Sequence, residues 1–260
     1  MESTTHELID ETTIDALLGG RVRLQQPRVG YRAGMDAALL AAAVRLADGE
    51  RGLEAGCGAG GALLQVAARC PGAHLTGIER DPAALALARC NVTLNGADKL
   101  VSVQSGAVEA GFRALGLAQF AVAFANPPFF DDPSTLRAPH PARREAWMAD
   151  TGLAAWTRFL LKTVGEHGRI VIIHRADRLA DLLTLLGESA GSFRIRPVHP
   201  FADAPAKRVL VQAIKAGRAP LSLLPSLVLH NRGAQGRHTT QAEAILRGEA
   251  ALGFESSSDD

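Results

Sequence analysis

The 260-residue sequence predicts an α/β fold in which a mostly parallel sheet carries helices on both of its faces. Short apolar, β-branched runs alternate with longer helical stretches from Leu53 onward, which is the pattern of βαβ units. A glycine-rich loop joins the first of these strands to its helix, and the chain length suits a single core. With 47% hydrophobic and 21% charged residues, the chain can bury such a core. We therefore expect about seven strands in one sheet.

The predicted elements follow one another as strand and helix along the chain. Apolar residues recur at helical spacing in the helices, and Pro82 lies in a first turn, where proline is tolerated. His174 ends one of the strands, and we expect it to have a structural role. The predicted strands are 52–55, 74–79, 100–104, 120–124, 169–174, 192–198 and 208–215, and the predicted helices are 61–69, 82–94, 153–164 and 177–186.

The two ends of the chain have a different pattern. Residues 22–24 and 28–31 are predicted to pair as a hairpin, followed by a helix with Asp36 as its N-cap. We expect residues 1–47 to form a hairpin-helix extension that acts as a lid or a recognition element. Residues 48–250 then form the core, and residues 251–260 form a disordered tail.

Charge and apolar patterning exclude several classes of protein. A net charge of +1 does not indicate a nucleic-acid binder of general basicity, so local patches must hold any RNA. The apolar run 37–44 is far too short to cross a bilayer, and acidic residues precede any apolar stretch at the N-terminus. Three cysteines without CxxC spacing argue against a disulfide framework or a zinc site. We expect a cytoplasmic protein with no metal.

A glycine-rich loop lies at the carboxyl edge of the predicted sheet, where open α/β folds bind ligands. Its sequence is Leu53-Glu54-Ala55-Gly56-Cys57-Gly58-Ala59-Gly60-Gly61. Glycines here allow positive φ and bring backbone amides close to a ligand at the helix N-terminus. The spacing also satisfies the Gly-x-Gly-x-x-Gly fingerprint of dinucleotide sites, with Glu79 18 residues beyond the last glycine. Glu54 shifts the balance, because a carboxylate suits the ammonium end of a methionine moiety better than a pyrophosphate.

A second motif, Asn126-Pro127-Pro128-Phe129, follows the predicted fourth strand. An amino nitrogen conjugated to a base or an amide is a poor nucleophile, because its lone pair is delocalised. If the Asn126 side-chain oxygen and the Pro127 carbonyl each accept one N–H, the lone pair is localised towards a methyl donor. The prolines hold Asn126 extended, and Phe129 offers a ring for stacking. The alternative is a plain tight turn after a strand, which prolines also form.

Both motifs resemble those of a known enzyme class. Glu54-x-Gly56-x-Gly58-x-Gly60 resembles the first motif of class I S-adenosylmethionine (SAM)-dependent methyltransferases, and residues 126–129 resemble the NPPY/NPPF motif of amino methyltransferases. The resemblance implies a Rossmann-like fold, SAM as cofactor, and Glu79 on the ribose hydroxyls. It implies adenine N6, guanine N2 or a glutamine amide as acceptor. Gln104-Ser105-Gly106-Ala107 stands where many members carry an Asp for the adenine, so we assign no residue to adenine recognition.

The resemblance extends over residues 17 to 250. The segments 19–26, 30–42 and 205–211 are similar to the bacterial family that methylates N6 of an adenine in the anticodon loop of valine tRNA. This likeness implies a tRNA partner and a place for Asp36 beside the donor site, with a plain N-cap as the alternative. The open alternatives for function are an rRNA guanine or protein glutamine methyltransferase and a nicotinamide-dependent oxidoreductase. A nicotinamide-dependent oxidoreductase would not explain the Asn-Pro-Pro-Phe motif.

Basic side chains form three local groups that are predicted to meet the phosphates of RNA. A solvated surface is the alternative for each group. The groups lie in the N-terminal hairpin, after the acceptor motif and near the last predicted strand. They include Arg21, Arg23, Arg32, Arg143, Arg144, Lys207 and Arg208.

Overall fold

The computed structural model describes residues 12–29, 32–129, 152–233 and 238–254. Within these residues, nine strands form one sheet and two more form a separate hairpin, with helices on both faces of the sheet, so the predicted α/β class is confirmed. The strands are β1 (Thr12–Leu17), β2 (Val22–Pro27), β3 (Arg51–Ala55), β4 (His74–Glu79), β5 (Val101–Ser105), β6 (Phe120–Ala125), β7 (Val164–Arg175), β8 (Ala190–His199), β9 (Arg208–Lys215), β10 (Ser222–Leu223) and β11 (Leu227–Val228). The helices are α1 (Met35–Ala43), α2 (Gly61–Arg69), α3 (Pro82–Leu94), α4 (Leu153–Thr163), α5 (Leu179–Gly187) and α6 (Thr240–Arg247).

The seven predicted strands are β3 to β9, in the order β5-β4-β3-β6-β7-β9-β8. Neighbouring strands are parallel except for β9, which runs antiparallel to both β7 and β8. The short strands β10 and β11 both pair with β8 in parallel. They were not predicted, because two residues are too few to show an alternating pattern.

The strand order reverses between β3 and β6, and this reversal positions the site. Ala55, the last residue of β3, pairs with Ile78 on β4 and with Ala125 on β6. From β3 the chain continues through β4 and β5 on one side of the sheet, whereas β6 and β7 lie on the other. The loops that follow β3 and β6 therefore flank one crevice at the carboxyl edge, the usual ligand site of such sheets.

Helix α3 begins where the sequence predicts, whereas α1 does not. Asp81 caps α3, because its side chain accepts hydrogen bonds from the backbone N–H groups of Ala83 and Ala84. The predicted N-cap of α1, Asp36, is wrong: the helix begins at Met35, with Gly34 as the cap. The Asp36 carboxylate instead forms an ion pair with a distant arginine, described below.

The N-terminal hairpin pairs upstream of its predicted partner. Strand β2 pairs with β1 from Leu17 opposite Val22 to Thr12 opposite Pro27, so the predicted pairing of 22–24 with 28–31 is wrong. The turn at Gly19-Gly20 has φ of 64° and 92°, which glycine adopts without strain. A glycine pair between two alternating runs is a hairpin signal, and it marks this turn in the sequence.

Two asparagine side chains dock the outer edge of β2 on helix α3. Asn95 accepts from the N–H of Arg23 and donates to its carbonyl, at 2.8 and 2.7 Å. Asn91 does the same for Gln25, at 2.7 and 2.8 Å, and donates to the carbonyl of Ala59 in the glycine loop at 2.9 Å. The two amides thus take the place of a neighbouring strand.

The hairpin and the C-terminal segment share one core with the sheet. Leu18, Val22 and Leu24 of the hairpin are buried with the apolar face of α1, and so are Leu252 and Phe254. Residues 251–254, which the sequence places in the tail, therefore lie against the core, and residues 255–260 fall outside the described ranges. The domain boundaries at 47 and 250 stay a prediction. No helix among the described residues has the length and apolarity needed to cross a membrane.

Arginine side chains hold the backbone of this C-terminal segment. Each donates to one or two carbonyl oxygens in the last turn of α6 or after it, which gives these backbone groups a hydrogen-bond partner. The bonds run from Arg21 to Gly248 (2.9 Å), from Arg69 to Ile245 and Ala250 (2.6 and 2.9 Å), from Arg194 to Phe254 (2.8 Å) and from Arg196 to Gly253 (2.8 Å).

Candidate functional site

Neighbouring strands bring both predicted motifs to one edge of the sheet. The pairing of Ala55 with Ala125 means that Gly56 and Asn126 are the next residues after adjacent strand ends. Paired strands lie about 4.8 Å apart, so the glycine loop and the Asn-Pro-Pro-Phe motif begin side by side. Glu79 ends β4, on the other side of β3.

The glycine loop has the backbone conformation for which glycine is needed. Gly56, Gly58 and Gly60 have φ of 65°, 55° and 89°, all in the left-handed region. A Cβ on Gly56 would lie 2.4 Å from Cη2 of Trp156, and Gly60 is the N-cap of α2. The predicted close turn from strand into helix is therefore present.

Glu79 holds this loop to the end of β4. Its Oε2 accepts from the N–H of Gly58, and its Oε1 accepts from the N–H groups of Arg80 and Asp81, all at 2.8 Å. The side chain is buried. The structure thus brings Glu79 into contact with the glycine loop, as its predicted place in a donor site requires.

Glu54 is a carboxylate buried without a cationic partner among the described residues. It lies within β3, is 3% exposed, and takes part in none of the ion pairs between those residues. Its Oε2 has no hydrogen-bond partner. Burial raises its pKa well above 4.5 and the charge of Glu79 adds to the rise, whereas a backbone hydrogen bond from Leu63 lowers it. A buried carboxylate that lacks a cationic partner favours the binding of a cationic ligand.

The acceptor motif lies directly after β6, and the side chains of His174 and Arg208 both contact Phe129. Asn126, Pro128 and Phe129 are half-buried, and Pro127 is buried. The ring of His174 meets the Phe129 ring edge to face, with centroids 5.0 Å apart and an angle of 89°. The guanidinium carbon of Arg208 lies 4.6 Å from the centre of the same ring.

Asp36 and Arg208 form an ion pair next to the acceptor motif. The Nε of Arg208 donates to Oδ2 of Asp36 at 2.9 Å, and the two side chains are about a quarter exposed. The sequence placed Asp36 beside the donor and Arg208 on RNA phosphates. In the structure the Arg208 guanidinium lies over Phe129, and its ion pair with Asp36 connects the start of α1 with the start of β9.

His174 was assigned a structural role, yet it contacts the acceptor motif. It lies near the end of β7, is 1% exposed, and its Nδ1 has no hydrogen-bond partner among the described residues. Burial lowers its pKa to about 4, and the charges of Arg175 and Arg208 contribute. The ring is therefore neutral at physiological pH. The sequence offered one sign of this contact, because His174 lies at the carboxyl end of a strand. In a parallel sheet, these strand ends meet at the edge where ligands bind.

The predicted RNA-contacting arginines divide into two groups. Arg21 donates to backbone carbonyls, and Arg32 pairs with Asp15 and donates to the carbonyl of Pro27 at 2.6 Å. Arg23 and Lys207 are exposed, and no ion pair between described residues includes them. Arg143 and Arg144 lie outside the described residues.

Comparisons with known proteins support the predicted resemblance. Residues 30–139 match the family model of the methyltransferase small domain. The tRNA1(Val) (adenine(37)-N6)-methyltransferase of Porphyromonas gingivalis is 32% identical over 162 residues, which are 61% of this chain and 63% of that protein. The protein of the same name from Dickeya chrysanthemi is 27% identical over 230 residues, which are 85% of this chain and 88% of that protein.

The fold has a match among solved structures. A protein from Agrobacterium tumefaciens, described as a predicted O-methyltransferase, has a TM-score of 0.68 at 27% identity. The match covers 84% of this chain and 98% of that protein. Together with the strand order, it confirms the Rossmann-like methyltransferase fold.

Proposed function

We propose that this chain, in which residues 30–139 match the methyltransferase small domain, is a SAM-dependent methyltransferase that modifies adenine N6 in tRNA. The observation that carries the proposal is the pairing of Ala55 with Ala125, which sets a donor loop beside an amine-binding motif. The names of the curated relatives support the tRNA and the adenine. The match to the first of them spans less than two thirds of its length, so the acceptor is inferred from the site as well.

The donor side fits SAM. The orphaned carboxylate of Glu54 suits a cationic amino-acid end, and the glycine loop before α2 brings backbone amides close to a ligand. Glu79, held at the end of β4, is the acidic residue that we propose for the ribose hydroxyls. When bound, SAM supplies a methyl group made electrophilic by its sulfonium.

The acceptor side fits an amino group. The Asn126 side-chain oxygen and the Pro127 carbonyl offer two hydrogen-bond acceptors, which match the two N–H bonds of an exocyclic amine. A hydroxyl has only one O–H to donate, so the motif favours nitrogen over oxygen. The two hydrogen bonds direct the nitrogen lone pair at the donor, and the nitrogen then releases a proton to solvent.

Phe129 presents one face to the acceptor base. Arg208 covers the other side of the ring at 4.6 Å, so a planar base stacks opposite the guanidinium. The accepting nitrogen becomes positive as the new bond forms, and a nearby cation would oppose it. The surroundings limit that effect, because Asp36 pairs with Arg208 and His174 is neutral.

Local basic groups complete the site for RNA. Arg23 and Lys207 are exposed, and we propose that they contact phosphates together with Arg143 and Arg144. Arg208 acts on Phe129, and Arg21 and Arg32 act within the fold. A base that is turned out of an RNA loop can reach the site without the opening of a duplex.

The test is transfer of labelled methyl from SAM to total tRNA and, in parallel, to rRNA and total protein of a strain that lacks this protein, followed by nucleoside and amino-acid analysis. Label in N6-methyladenosine is the expected result. Label in an rRNA guanine or a protein glutamine instead would move the acceptor to the alternatives. An absence of label from all three would overturn the proposed activity.

A further inference from the structure

Four side chains form a ring platform apart from the donor and acceptor motifs: Phe201, His230, Arg232 and His238. The rings of His230 and His238 are stacked, with centroids 5.0 Å apart and an angle of 27°. The Phe201 ring lies 5.8 Å from that of His230, tilted by 48°, and the Arg232 guanidinium carbon lies 4.6 Å above Phe201. Three rings and a guanidinium are thus in continuous contact.

The topology puts the ring platform at the ligand edge of the sheet. Strand β8 runs in the same direction as β7, because both are antiparallel to β9, and β11 is parallel to β8. The segments after β8 and β11, which carry Phe201 and His230, leave from the edge where Asn126 follows β6. Three strand spacings separate β6 from β8, which is about 14 Å.

Backbone hydrogen bonds fix the segments that carry the ring platform. The N–H of His230 donates to the carbonyl of Pro200 at 3.0 Å, and His230 and His238 form an isolated β-bridge. Thr239 donates from its N–H to Leu229 at 2.9 Å and from its hydroxyl to Val228 at 2.7 Å. Binding therefore orders few side chains, which reduces its entropic cost.

One cation lies over these rings, and another is exposed on the loop that carries Phe201. The side chain of Arg232 is 63% exposed and pairs with Asp203, which is 62% exposed. Lys207 is exposed on the same connection between β8 and β9, and no ion pair between described residues includes it. Aromatic rings and a planar guanidinium stack on the flat, uncharged face of a base. A cation beside them suits the phosphate of the same nucleotide.

We infer that the ring platform binds a second unpaired nucleotide of the RNA substrate, separate from the one whose base enters the acceptor motif. The inference rests on the proposed function, and it adds a second contact for the same RNA. Aromatic and guanidinium faces stack on any base, and RNA loops expose bases that are free to stack. A stable protein partner needs a far larger apolar face than these half-buried rings provide.

The test is binding of an RNA hairpin with an unpaired adenine-containing loop, compared with a fully paired duplex, by fluorescence anisotropy. We expect Phe201→Leu and Arg232→Ala each to weaken hairpin binding about tenfold, with little change for the duplex. Arg232→Ala should also lower the dependence of log Kd on log salt by about 1, whereas Phe201→Leu should leave it unchanged.

The matched control is Arg218→Ala. Arg218 is also exposed but follows β9 at the opposite edge of the sheet, so its loss should leave hairpin binding unchanged. Circular dichroism and SAM affinity equal to wild type establish that the Phe201 variant is folded. Hairpin binding equal to wild type in both platform variants, or no hairpin binding by the wild type, would overturn the inference.

Methyl transfer by the wild type separates the two ideas. If the wild type binds the hairpin through Phe201 but methylates no RNA, the proposed function fails and the ring platform stands. If the wild type methylates tRNA and the platform variants do so with unchanged KM, the ring platform fails alone.

Discussion

Asn126 provides one hydrogen-bond acceptor at the end of β6. We expect Asn126→Ala to lower kcat about a hundredfold, because the amine is then held by the Pro127 carbonyl alone. The Kd for SAM should not change, since Glu54 and Glu79 lie on other strands. Single-turnover transfer and equilibrium binding of SAM measure the two effects. Asn126→Asp keeps an oxygen at this position and should retain more activity. A wild-type kcat in Asn126→Ala would contradict the assigned role.

We expect Glu54 to lower the stability of the folded protein at neutral pH and to strengthen SAM binding. Its folded pKa is raised above 4.5, so the folded state holds this proton more tightly than the unfolded state does. Stability from this group is present at acid pH and is lost as pH rises through the folded pKa. Glu54→Gln should therefore unfold at higher temperature than wild type at neutral pH without ligand, and bind SAM about tenfold more weakly. An unchanged SAM Kd would count against its place in the donor site.

His174 should show the opposite pH dependence. Its folded pKa of about 4 lies below the ordinary value of 6.5, so the unfolded state binds the proton first as pH falls. Stability from this group is present above 6.5 and is lost as pH falls towards 4, by up to about 3 kcal/mol. Urea unfolding of wild type and His174→Asn across this window measures the difference. Parallel pH profiles would show that His174 titrates normally in the folded protein.

At the scale of elements, the hairpin β1–β2 depends on helix α3. We expect Asn91→Ala to lower the free energy of unfolding by about 1–3 kcal/mol, because backbone groups of Gln25 and Ala59 lose their partner in a buried place. Since Ala59 belongs to the glycine loop, SAM affinity should fall as well. Urea unfolding and equilibrium binding of SAM measure these changes.

Asn95→Ala is the matched control for this prediction. Asn95 makes the same pair of bonds to Arg23 but has no bond to the glycine loop. It should cost less stability and leave SAM affinity unchanged. Equal losses of SAM affinity in the two variants would refute a specific link from hairpin to loop.

At the scale of the whole molecule, the acceptor motif is assembled from distant parts of the chain. Asp36 and Arg208 are 172 residues apart in sequence, yet together they fix one face of Phe129. We expect Asp36→Ala and Arg208→Ala each to lower kcat/KM about tenfold, and the double variant to be little worse than either single one. Steady-state kinetics on tRNA with a double-mutant cycle measures the coupling. Additive losses would mean that the two side chains act separately.

The sequence alone was sufficient for elements that local signals specify. Pro82 in a first turn predicts the start of α3, and the bounds 61–69, 74–79, 82–94 and 208–215 coincide with the observed elements. The Asn-Pro-Pro-Phe motif and the glycine loop were found in the same way, since their residue types act through their own backbone and side chains. The hairpin register was missed although Gly19-Gly20 marked its turn.

Only the tertiary structure decided which distant residues meet. That Arg208 lies over Phe129 and pairs with Asp36, that His174 is neutral beside that ring, and that Arg21 and Arg32 act within the fold all follow from packing. Sequence determined the sheet and its two motifs because backbone preference and periodicity are local properties. Burial and ion pairing depend on contacts between residues far apart in the chain, so the partners and the charge of these side chains were decided only when the fold brought them together.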